Sequence, residues 1–350
     1  MKTKIITMFL FLAVSGCLQE MDIKLPNSGY SPKNTGDGLV LSTPELENIN
    51  VTILGKVYSD FYDQNKYPTI RSLLVLKNGK LISEAYFKDE HDMTKPHALQ
   101  SATKSITSIL LGIAIDNGFI SSAQATVKDF FPEYVNGEKG SITIAQLLSM
   151  SAGINFNDET DTEEMINQRA NSIKYALSFN LKFTPGTGWL YCDGNNQVVS
   201  GIIAKATGMT LEDFGKKYLF DPLSITNYRW EKHRDNTTYG AVGLWLTPRE
   251  MAKIGLMVLD KGVYNNQRIV SEEWLSISTS KQNPVKEYGF NWALFLNYGF
   301  YASGHGGQKI YVFPQNNLVI VTTADSFSDN GIFLKDIENI ANIIREASVN

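Results

Sequence analysis

The clearest strand pairs in this chain lie at its two ends, and its interior reads as helix, which leaves few folds open. Ser72-Leu73-Leu74-Val75-Leu76 and the run 81–87 flank Lys77-Asn78-Gly79-Lys80, and Asn-Gly between two apolar runs is a strong hairpin signal. Near the C-terminus, residues 309–313 and 318–323 flank Pro314-Gln315-Asn316-Asn317 in the same way. The segment 332–347 places Leu334, Ile337, Ile340, Ala341 and Ile344 on one helical face. Between the ends, Ile106, Ile109, Leu110 and Ile113 form an apolar stripe that stops at Asn117-Gly118. Residues 45–64, 144–150, 165–177, 198–206, 211–218 and 248–259 also carry helical patterns. The expected fold class is α/β in the α+β sense. An antiparallel sheet from about 65–95 and 285–350 is flanked by terminal helices, with a mainly helical lobe inserted over about 100–260. A site belongs in the cleft where lobe and sheet meet.

A chain of 350 residues with 43% hydrophobic and 11% aromatic residues has enough apolar mass for a large core. The net charge of −4, a pI near 5.7 and the lack of any basic block argue against a nucleic-acid partner. The four histidines are scattered and no Cys/His cluster has metal-ligand spacing, so neither a metal nor a cofactor is expected. Lys2 and Lys4 precede an apolar run, 5–14, that is too short to span a bilayer and reads as a signal peptide over 1–16. Val14-Ser15-Gly16-Cys17 resembles the lipobox of bacterial lipoproteins, in which the cysteine is acylated; ordinary cleavage near Gly16 is the alternative. Residues 17–44 then read as a tether, with the main folded domain over 45–350. No aspartate follows Cys17, so the resemblance implies an outer-membrane destination in a cell with two membranes. Lipid at Cys17 would be the chain's only membrane contact, and Cys192 is then the one cysteine left, with no partner for a disulfide.

Three separated stretches carry the chemistry. Ser101-Ala102-Thr103-Lys104 puts a hydroxyl and an amine one turn apart at the start of a predicted helix, beside the positive end of its dipole. A cation there lowers the cost of forming an alkoxide. The pattern alone is weak, since Ser278-Thr279-Ser280-Lys281 repeats it without an apolar helix behind it. Tyr191-Cys192-Asp193 follows a Pro185-Gly186 turn. A tyrosine is a poor base unless a cation such as Lys104 favours its phenolate, in which case Tyr191 can take the Ser101 proton and pass it on. Gly304-His305-Gly306-Gly307-Gln308 leads into a strand and permits close approach by a ligand. The backbone N–H of Gln308, with that of Ser101, is the expected oxyanion hole. Cys192 has no histidine neighbour and reads as a small buried thiol. Trp189, Tyr288 and Trp292 are candidates to border the cleft, with core packing the better reading for at least one.

The set resembles the serine β-lactamase and penicillin-binding-protein superfamily, and its tyrosine version is similar to the class C β-lactamase, D-peptidase and esterase branch. Ser141-Ile142-Thr143-Ile144-Ala145-Gln146-Leu147-Leu148, Met150-Ser151-Ala152-Gly153 and Gly243-Leu244-Trp245-Leu246-Thr247-Pro248 are further points of likeness. Tyr191-Cys192-Asp193-Gly194-Asn195 and Gly304-His305-Gly306-Gly307-Gln308 look closest to 6-aminohexanoate-oligomer hydrolases and related esterases. The resemblance implies Ser101 as acylated nucleophile, Lys104 as its activator, Tyr191 as general base and acid, and His305 on the substrate side where relatives carry lysine. Asp193 stands where β-lactamases of this branch have asparagine, and an ionised carboxylate cannot donate to a substrate carbonyl; Asn195 is the expected substitute donor. His305, Asp193, Asn195, Gly307 and Gln308 make up the expected substrate-binding set. These departures favour a neutral ester, amide or peptide as the small-molecule substrate. The rival readings are a β-lactamase or D-Ala-D-Ala carboxypeptidase acting on cell wall, and a non-catalytic peptidoglycan sensor.

Overall fold

The computed structural model describes residues 29–63, 66–167, 171–295, 297–325 and 334–348. The signal peptide, Cys17 and the first part of the tether lie outside the described residues. The two ends of the chain meet in one six-stranded antiparallel sheet. Its strands are β1 (Ile70–Lys77), β2 (Lys80–Tyr86), β3 (Ala293–Phe295), β4 (Gly299–Gly304), β5 (Gln308–Phe313) and β6 (Leu318–Ala324), in the order β2-β1-β6-β5-β4-β3. The β1–β2 turn has Asn78 and Gly79 at φ 52° and 78°, the left-handed pair that a tight hairpin needs. Register at the centre runs from Leu73 opposite Thr322 to Lys77 opposite Leu318.

Alternation along the strands divides the core into two. Leu73, Val75 and Ile82 point to one face, where α1 (Val51–Tyr62) buries Leu54, Val57, Tyr58 and Phe61. The C-terminal helix, α5 (Leu334–Ala347), buries Ile337, Ile340, Ala341 and Ile344 there. Leu74, Leu76 and Leu81 point to the other face, into a larger core shared with α2 (Thr103–Asp116), α3 (Asp193–Thr207) and α4 (Pro248–Leu259). Both faces are covered, so the central strands are apolar on each side. The α+β architecture expected from the sequence is the one observed.

Three local expectations change. The first helix starts at Val51 rather than near residue 45, because the Asn50 side chain accepts the N–H groups of Thr52 and Ile53 and Asn48 has φ 58°. The pattern over 165–177 is two short helices, Asp161–Asn167 and Ser172–Ala176, the second capped by Asn171. Residues 29–44 of the expected tether belong to the folded body. Tyr30 stacks on Tyr58 at 4.6 Å, and Ser42 N–H donates to the Leu81 carbonyl at 3.0 Å.

Arg249, in the first turn of α4, holds that segment. Its guanidinium donates to both Glu84 oxygens at 3.0 and 3.1 Å, to Asp37 at 2.9 Å and to the Lys33 carbonyl at 2.7 Å, and it also meets Thr35. Glu84 is 1% exposed, so losing its partner strands a buried carboxylate. Arg249→Leu is expected to cost about 3–5 kcal/mol of unfolding free energy in urea titrations. A loss below about 1 kcal/mol would mean that the clamp is not needed.

Candidate active site

Ser101 sits in a short turn, Gln100–Ala102, that runs directly into α2. Gln100 is left-handed at φ 50°, a strained conformation of the kind that presents a nucleophile at a tight corner. The turn is anchored by Leu99 N–H to the Leu244 carbonyl at 2.8 Å. From Thr103 to Ala114 every residue of α2 is buried, so the helix is held all round. Lys104 lies one turn beyond Ser101, and its Nζ donates to Ser101 Oγ at 2.8 Å and to the Ala241 carbonyl at 3.2 Å. The same nitrogen stands 4.8 Å from the centroid of the Tyr191 ring. Hydroxyl, amine and phenol, from two distant segments, therefore converge. Ser101 and Tyr191 line one cleft of about 510 Å³ between lobe and sheet.

Asp193 is the chief surprise. It opens α3, and its Oδ1 lies 2.6 Å from Lys104 Nζ, deep in the protein. The contact is a close ion pair between two buried groups. Burial alone would strip the proton from Lys104. Asp193 and Tyr191 outweigh it and raise the ammonium pKa above the ordinary lysine value. Asp193 Oδ2 accepts from Thr162 Oγ1 at 3.0 Å, and its N–H donates to Asp158 Oδ1 at 2.8 Å. The expectation that Asp193 binds substrate is thus corrected: its oxygens are turned to Lys104 and Thr162.

Asn195 is corrected too. It is buried on α3, with its amide donating to the Leu147 carbonyl at 3.1 Å, and it does not line the cleft. The amide that reaches the cleft wall is Asn291, at φ 63°, which donates to the Lys104 carbonyl at 3.1 Å and to Asn196 Oδ1 at 2.6 Å. Nothing in its local sequence marks it, because its neighbours come from α2 and α3.

The glycine-rich stretch divides. Ser303, Gly304 and the exposed His305 line the cleft. A Cβ at Gly304 would lie 2.0 Å from the Leu99 carbonyl oxygen, so only glycine lets β4 close on the turn that carries Ser101. Gly307 and Gln308 lie elsewhere. Gly307, at φ 114°, packs towards Ile337, Ile70 and Ala324, and the Gln308 amide donates to the Ala324 carbonyl at 2.5 Å. The strand beside Ser101 is the one before His305, not the one after it. Sequence reading also missed Tyr301 and Ser303, which line the cleft, and Lys309, opposite Ser303 in the ladder. Lys309 Nζ donates to Ser303 Oγ at 2.7 Å, and burial pushes its pKa down to about 8. Alternation of Tyr301 and Ser303 before a glycine was the available signal.

Trp189 and Tyr288, 4.8 Å apart edge to face, line the cleft, whereas Trp292 is wholly buried against Phe300. Cys192 is buried, and desolvation raises its thiol pKa, so it is no nucleophile. In the second Ser-x-x-Lys, Ser278 donates to the Leu275 carbonyl and Lys281 pairs on the surface with Glu287 at 2.5 Å; Glu287 lines the cleft, but neither Ser278 nor Lys281 does. Among the described residues no cluster of potential metal ligands occurs.

The beta-lactamase family profile matches residues 59–344, and the chain belongs to that family. A 6-aminohexanoate-dimer hydrolase of Paenarthrobacter ureafaciens is 24% identical over 311 residues, covering 80% of this chain and 79% of the relative. A lovastatin esterase of Penicillium rubens is 26% identical over 152 residues, covering 37% of this chain and 38% of the relative. A solved Bacillus anthracis protein, proposed to be a 6-aminohexanoate-dimer hydrolase, superimposes with a TM-score of 0.72 at 18% identity, covering 91% of this chain and 90% of that one. An octameric penicillin-binding protein homologue from Pyrococcus abyssi gives 0.66 at 19% identity, with 83% and 76% covered. The fold is the β-lactamase/transpeptidase type, and the family includes hydrolases.

Asp158 offers a test of the electrostatics behind Lys104. Burial, then the neighbouring Asp193 charge, push its carboxyl up to about 7. A carboxyl whose folded-state pKa exceeds its unfolded value of about 4 costs stability as it ionises, so the penalty develops between about pH 4 and pH 7. Asp158→Asn is expected to raise Tm at about pH 8 and leave it nearly unchanged at about pH 4. Equal shifts at both values would disprove the burial of an ionising group there.

Proposed function

We propose that this protein is a serine hydrolase that cleaves an ester or amide through an acyl-enzyme on Ser101. The observation that carries the reading is the Lys104 ammonium, 2.8 Å from Ser101 Oγ and 4.8 Å from the Tyr191 ring centroid, in a cleft lined by both Ser101 and Tyr191. Tyr191, as phenolate beside that cation, takes the Ser101 proton while Oγ bonds to the substrate carbonyl carbon. The carbonyl electrons move to oxygen, where the N–H groups of Ser101 and His305 are the proposed donors, since His305 follows the strand that abuts the Ser101 turn. As the tetrahedral intermediate collapses, Tyr191 gives its proton to the departing alcohol or amine. Water then repeats the sequence, losing a proton to Tyr191 and its oxygen to the acyl carbon, and Ser101 leaves with the proton restored.

Esters and linear amides are preferred to β-lactams in this proposal. His305 stands where the resemblance expects lysine, and the amides of Asn195 and Asn291 are committed to protein oxygens. Trp189 and Tyr288 offer an aromatic wall for an acyl group. The names of two relatives, a 6-aminohexanoate-dimer hydrolase and a lovastatin esterase, support amide and ester substrates. We further propose export and anchoring through acylated Cys17, argued from the lipobox-like Val14-Ser15-Gly16-Cys17; Cys17→Ala should release the protein from the membrane fraction, and continued association would rule the anchor out.

Ser101→Ala should abolish fluorophosphonate labelling and turnover while the circular dichroism spectrum is retained; persisting turnover would remove Ser101 from the mechanism. Tyr191→Phe should lower kcat/KM on short-chain nitrophenyl esters by about 10²–10⁴-fold. Faster turnover of nitrocefin than of those esters would instead favour the β-lactamase reading.

A further inference from the structure

We infer that Asp193 is a positioning residue that keeps Lys104 a permanent cation and so assigns the proton-accepting role to Tyr191. The inference rests on the hydrolase reading and adds what selects the base within it. Either an amine or a phenolate can deprotonate a serine, and which one does so depends on which loses its proton first. Lys104 is 1% exposed, and a lone buried ammonium sheds its proton. Asp193 prevents this with an oxygen 2.6 Å from Nζ. Its placement is itself fixed: it opens α3, where the helix dipole favours a negative charge, Thr162 Oγ1 holds the second oxygen, and Asp158 accepts its N–H. The charged or titratable groups facing Lys104 are Asp193 from α3 and Tyr191 before it; Asp158, which accepts the Asp193 N–H, also interacts with the Lys104 charge and has Asp161 beside it. Ser101 Oγ and the Ala241 carbonyl accept from Nζ, which is consistent with an ammonium and its three donors. A proton therefore leaves Ser101 only if the phenolate takes it.

An asparagine at this position would fill the same space without charge. Lys104 would then be free to become a neutral amine in the alkaline range and act as a base itself. The double variant of Asp193→Asn with Tyr191→Phe tests this. Alone, Tyr191→Phe should lower kcat/KM by about 100-fold or more at both pH 7 and pH 9. In the Asp193→Asn background its effect should shrink to less than about 10-fold at pH 9, with a new rising limb in the pH profile. An undiminished effect with no new limb would overturn the inference. A second measurement needs neither turnover nor the Asp193 variant. In folded Ser101→Ala protein, side-chain ¹⁵N NMR should find Lys104 still protonated at about pH 10. Titration well below that value would overturn the inference while leaving the hydrolase reading intact. Loss of the reading itself would show separately, as turnover that survives Ser101→Ala.

Discussion

A buried ammonium needs a counter-charge, and this molecule meets that need by bringing the start of α3 against the first turn of α2. The Lys104–Asp193 pair, 2.6 Å apart, ties together two helices that begin about 90 residues apart in sequence. Desolvation on its own would neutralise Lys104; the paired carboxylate reverses the sign of the effect. Ser101, Tyr191 and the cleft they line depend on this contact, because it sets both where the cation sits and whether it is a cation.

The rest of the architecture serves to hold that contact still. α2 is buried along nearly its whole length, in a core that also contains the inner faces of β1, β2 and α4. Its N-terminal turn is pinned on one side by the Leu244 carbonyl and on the other by the close approach of Gly304. The Ser101 hydroxyl on such a turn moves little, which is what the proposed attack on a substrate carbonyl would require. The loop bearing Trp189 and Tyr191 is also tied down, by the Asn283 amide donating to the Ser149 and Gly188 carbonyls at 2.9 and 3.2 Å.

Much of this was legible in the chain. The Asn78-Gly79 turn, the apolar face of the last helix and the stripe of α2 are local patterns, and local patterns survive folding when the tertiary environment agrees with them. The Ser101, Lys104 and Tyr191 meeting was legible only because three weak motifs occurred together. Asp193 was misread because its role depends on a lysine nearly 90 residues away. Gln308 was misread because sequence order favours the strand after the glycines, whereas in space the edge-side strand before them borders the cleft. Residues 29–44 read as a tether because their polar composition hides the buried Glu84 and Arg249 that bind them.

The sequence by itself determined the periodicities, the caps and the reactive side chains, since each is set within a few residues by backbone geometry and side-chain chemistry. Only the tertiary structure decided which carboxylate neutralises Lys104, which strand faces Ser101 and which amides are already committed. Those are matters of distance and burial between segments far apart in the chain, and coulombic and desolvation energies depend on nothing else.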